Sequence, residues 1–99
     1  MQTIVKATLV PGGSDNLRVA QYYSNVPGYG NYWEVTSDNE LYGGYPVIEF
    51  RTSLLEKKFG FSRYDVDEQF VIECAMLVAL EADANSRKTD KTDLGLSIW

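Results

Sequence analysis

The chain has 99 residues and a formal charge of −5, from nine Lys plus Arg against fourteen Asp plus Glu, with 44% hydrophobic and 23% charged residues. That length supports one domain and not two independent cores, and the balance is that of a globular fold instead of a disordered or fibrous one. Histidine is absent and Cys74 is the sole cysteine, which excludes Ser-His-Asp, Cys-His and imidazole-zinc chemistry, an intramolecular disulfide and a thiolate-held cluster.

Met1 to Val10 carries Lys6 inside its apolar run and lacks the basic and long apolar regions of a secretory signal, so a cytoplasmic location is expected, a host cytoplasm for a viral chain. Residues 3 to 10 alternate as a strand, with Val5, Ala7 and Leu9 on one face and Lys6 and Thr8 on the other. Pro11 to Asn16 is turn chemistry that closes a hairpin. Two further strands are predicted over 17 to 24 and 31 to 37, rich in aromatic and β-branched residues. A fourth is predicted over 45 to 51, after Gly43 and Gly44. Short strands with tight connections imply an antiparallel sheet.

The second half changes period. Ser53 and Glu56 have the spacing of a capping box before a short helix, Leu54 to Phe59, which Gly60 can close in a left-handed cap. Asp65 and Glu68 repeat that signature, and Arg87 and Lys88 suit a helix C-terminus, so a long helix is predicted from about 66 to 86. Between residues 70 and 80 only Glu73 is polar; the apolar side chains surround the axis instead of lining one stripe. Either the sheet curls around this helix or part of it docks on another chain, and Met76 and Leu80 are the candidate self-association residues, with Trp99, for a homodimer. At about half the roughly 20 residues a spanning helix needs, the apolar run is too short to cross a membrane. The tail, Thr89 to Trp99, fits a final edge strand or an anchoring segment that packs Trp99 away. The fold class expected is α+β: a curved antiparallel sheet of about four or five strands packed on one long apolar C-terminal helix, plus a short helix.

Tyr22 to Tyr45 holds six tyrosines and Trp33 among glycines and asparagines, a composition shared by recognition surfaces and by sheets whose aromatics pack across strands. No Lys or Arg occurs from Val19 to Phe50, while Glu34, Asp38, Glu40 and Glu49 do. Stacking on nucleic acid needs cations along the phosphates, so direct nucleic-acid binding is not expected. An acidic, aromatic face suits a basic protein surface, and the partner-binding candidates are Tyr29, Tyr32, Trp33, Glu34, Asp38, Glu40 and Tyr42. Asp65, Asp67 and Gln69 imitate the opening of a calcium loop, but Met76 stands where the bidentate Glu belongs. There is no nucleophile elbow, phosphate loop or full dinucleotide fingerprint, and Cys74 reads as a small buried hydrophobe. No catalytic residue, cofactor or metal is therefore expected.

The expectation from these residues is a small acidic non-enzymatic protein that blocks a larger, basic, nucleic-acid-handling complex by steric cover. By analogy of size and charge, not by any motif, such a chain resembles inhibitors that viruses and mobile elements direct at defence systems. Two alternatives follow from the same residues: a self-associating assembly subunit built on helix 66 to 86, and a small-ligand or carbohydrate module stacking on Trp33.

Overall fold

A computed structural model describes residues 2–24 and 31–95, with side chains placed for 7–22 and 32–87. Four strands, β1 (Gln2–Leu9), β2 (Arg18–Ser24), β3 (Asn31–Thr36) and β4 (Ile48–Arg51), pair in chain order as one open antiparallel sheet. Two helices follow, α1 (Thr52–Phe59) and α2 (Glu68–Gly95). The architecture is α+β, as the alternation of periods implies.

Each local element has a chemical cause. The turn between β1 and β2 places Asp15 and Asn16 at φ of 57° and 56°, a left-handed conformation that short polar side chains tolerate better than others. Its Val10 N–H donates to the Leu17 carbonyl at 2.9 Å. A Cβ on Gly13 would lie 2.8 Å from the Cβ and Cδ2 of Leu17, so glycine there permits the turn to close on a core leucine. β4 is shorter than the predicted 45 to 51, because Tyr45 and Pro46 belong to the connection, which includes a single 3-10 turn at Glu40–Tyr42.

Both helix starts differ from the capping-box expectation. α1 continues directly out of β4 with Arg51 at its N-cap and no side-chain cap. The Glu56 carboxylate instead accepts the N–H, Nε–H and Nη2–H of Arg63 at 2.8, 3.1 and 2.9 Å, binding the next loop to the helix. Gly60 closes α1 at a φ of 72°, as expected. At α2 the cap is Asp67, whose carboxylate accepts the Phe70 N–H at 2.9 Å, and not Asp65. α2 also runs beyond 86 to Gly95, so Arg87 lies inside it and the segment to residue 95 is helix, not an edge strand. No Gly or Pro interrupts it before Gly95. No helix among the described residues is long and apolar enough to cross a membrane.

The register sorts the side chains into two faces. Val19, Val35 and Ile48 form one row and Gln21, Trp33 and Phe50 the next on the inner face. α2 lies over β2, while α1 lies over β3 and β4 and touches α2. Between them is a core that includes Val10, Leu17, Leu55, Val71, Ile72, Cys74, Ala75, Val78 and Ala79. Leu9 faces solvent, and the buried Val10 beyond it turns inward instead. Trp33, 2% exposed, donates its Nε1–H to Thr52 Oγ1 at 3.0 Å. Cys74 is buried and its thiol pKa is raised by desolvation.

Candidate protein interface

Both helices pack on one face of the sheet, and among the described residues no helix packs on the other. The outer face carries three cross-strand rows: Arg18 and Thr36; Ala20, Glu34 and Glu49; Tyr22, Tyr32 and Arg51. Period-two alternation along 31–36 generates this split, sending Tyr32 and Glu34 outward and Trp33 and Val35 inward.

Tyr22 and Tyr32, opposite each other, stack with ring centroids 5.2 Å apart and planes inclined by 12°. The Tyr22 hydroxyl donates to Glu34 Oε1 at 3.1 Å. Glu34 faces Glu49 directly across the β3–β4 pair, an arrangement that disfavours two charges. Burial, then the hydrogen bond and charge of Glu34, raise the Glu49 pKa above the ordinary carboxylate range. Burial and the Glu34 charge likewise raise the Tyr22 hydroxyl. The ion pairs found among the described residues join Arg18 to Asp38, Lys58 to Glu81, Arg63 to Glu56, and Arg87 to Asp15 and Asp83; neither Glu34 nor Glu49 takes part in one.

The face continues past Arg18 and Thr36 into a depression bordered by Asp38, Asn39, Glu40, Gly44 and Tyr45. Tyr45 is 76% exposed. Asp38 accepts from Arg18 at 3.2 and 3.3 Å and from Asn16 at 2.8 Å, and these donors hold its pKa low. The loop is fastened from below by a polar clamp. Tyr42 donates its hydroxyl to Asp83, Arg87 Nε holds both Asp83 oxygens at 3.1 Å, and Arg87 Nη2 reaches Asp15 at 2.8 Å. Asn39 donates to that same Asp15 oxygen at 2.9 Å. Hydrogen bonds from Asn39 and then Arg87 depress the Asp15 pKa, while burial and Asp83 raise that of Tyr42.

Of the predicted contact residues, Tyr32, Glu34, Asp38 and Glu40 lie along this one side. Tyr42 is half-buried as part of the clamp. Trp33 belongs to the core, because it alternates with its outward neighbours. Tyr29 and Trp99 lie outside the described residues. Met76 and Leu80 pack partly against the core, whereas Leu77 between them is 55% exposed. Tyr22 and Glu49 complete the outer face and were not among the predicted contacts; strand register, absent from a one-dimensional reading, brings them beside Tyr32 and Glu34.

A recess of about 200 Å³ opens between Gln21, Trp33, Thr52, Arg63, Glu68 and Val71. It falls below the roughly 300–1,000 Å³ of small-molecule sites, and Arg63 and Thr52 are already engaged by Glu56 and Trp33. Among the described residues no group of three or more His, Cys, Asp or Glu side chains converges to hold a metal ion. Comparison of the chain with family models, with curated proteins and with solved structures gives no match.

Proposed function

We propose that this chain is a non-enzymatic protein-binding module whose outer sheet face covers a basic surface of a larger partner and blocks it sterically. The observation that carries this reading is the Tyr22–Tyr32 stack beside the facing carboxylates Glu34 and Glu49, on a sheet face that neither helix covers. The tyrosine rings add contact area at this spot, and the two carboxylates beside them accept the N–H donors of a guanidinium group. An arginine from a partner would relieve the repulsion between Glu34 and Glu49 by neutralising it. Asp38, Glu40 and Tyr45 extend the same surface toward the loop. The partner class argued from this charge is a nucleic-acid-handling complex, whose basic groove this face would occupy in place of phosphates. By analogy of size and charge alone, the chain would stand with inhibitors that viruses and mobile elements direct at defence complexes.

The test is capture of basic proteins from a nucleic-acid-depleted lysate on the immobilised chain, at low and at moderate salt. Capture that weakens with salt and is lost in Glu34→Lys/Glu49→Lys, with circular dichroism unchanged, supports the reading. Equal capture by that variant overturns it.

A further inference from the structure

The helical layer on the opposite side carries a second surface, with its own charge pattern. On α1 the solvent-facing positions include Leu54, Lys57 and Lys58; on α2 they include Glu73, Leu77 and Glu81. Residues 73, 77 and 81 follow at intervals of four and so form one ridge, as do 54 and 58. Lys58 Nζ lies 3.3 Å from Glu81 Oε1, which places the two ridges side by side on the outer surface. Each ridge has an exposed leucine, one turn before the charged residue of that bridge. One ridge is therefore basic and apolar, its neighbour acidic and apolar.

Such a surface is complementary to itself. α1 and α2 run in the same direction, with Thr52 near Val71 and Lys58 near Glu81. A two-fold axis lying in the plane of this surface, along the line between the ridges, therefore lays α1 of one copy on α2 of another, and does so twice, as an isologous interface requires. Leu54 then meets Leu77 of the second copy and Lys58 its Glu81, so that the basic ridge with Lys57 lies against the acidic ridge that also carries Glu73. We propose that the chain pairs with a second copy of itself through this α1–α2 surface, independently of the sheet face.

The experiment is sedimentation velocity on the full chain over a range of concentrations, with two charge-reversed variants. The expected result is a mass of two chains for the parent and of one chain for Leu77→Glu, for Lys57→Glu/Lys58→Glu and for Glu73→Lys/Glu81→Lys. The two charge-reversed chains carry opposite ridges, so mixing them is expected to restore a species of two chains. Each still lacks its own 58–81 bridge, so only contact between copies can produce that recovery, and a folding defect cannot imitate it. A parent that stays monomeric at every concentration overturns the proposal, as does a dimer indifferent to these substitutions or a mixture that remains monomeric.

Discussion

Trp33 shows how far a single side chain can mislead when read by type alone. Its indole lies in the core and its Nε1–H is taken by Thr52, so it secures the start of α1 against β3. Trp33→Phe keeps most of the apolar volume but removes the donor, leaving the buried Thr52 hydroxyl one partner short. The expected cost is about 1–3 kcal/mol, read from the urea midpoint. An unchanged midpoint would mean that the hydroxyl finds another partner. The sequence contained the signal that places this residue: with period two, Trp33 cannot share a face with Tyr32 and Glu34. Aromatic content alone could not show it.

At the scale of elements, the loop from α1 to α2 is ordered from its α1 end. Gly60 supplies the left-handed cap that the sequence announces, and Glu56 holds Arg63 where a capping box would have used it otherwise. The Arg63 hydrogen bonds hold the Glu56 pKa down at about 2, against an ordinary value of 4.5. A carboxylate with a depressed folded-state pKa adds stability above its unfolded value and loses it as the pH falls toward the folded one. The loop 60–67 is thus expected to become protease-sensitive between about pH 4.5 and 2. In Glu56→Gln the sensitivity should already be present at neutral pH and change little across that window. Limited proteolysis with an acid-active protease across that window, and with a second protease at neutral pH, checks both. Helix existence and length class were readable from the apolar run of 70–80, because burial demands it. The N-terminal caps were not, since Asp65, Asp67, Ser53 and Glu56 compete for similar roles and only the three-dimensional path of the loop decides among them.

The whole molecule is two layers, with its sheet and helical surfaces facing opposite ways and a polar clamp uniting them. Asp83 is buried and has both Tyr42 and Arg87 as partners. Arg87→Met withdraws the cation from Asp83 and Asp15 together, at an expected cost of about 1–3 kcal/mol. Amide exchange is expected to quicken in the turn 10–17 and the connection 37–47 before it does in β2 or β3; a uniform response would show that the clamp stiffens neither. Nothing in the sequence suggested this network. Arg87 has the look of a helix-end cation, and its partner Asp15 belongs to a turn where an aspartate is already explained by its backbone.

That separation has a kinetic meaning. The strands pair in chain order, so each hairpin closes a short stretch of chain, whereas Arg87 must reach Asp15 across 72 residues. Loop-closure entropy puts the short pairings first and the distant one last. During synthesis the turn 10–17 leaves the ribosome long before the arginine that finally holds it. A nascent chain can thus carry a formed β1–β2 hairpin while the acidic loop beside it still waits for its anchor.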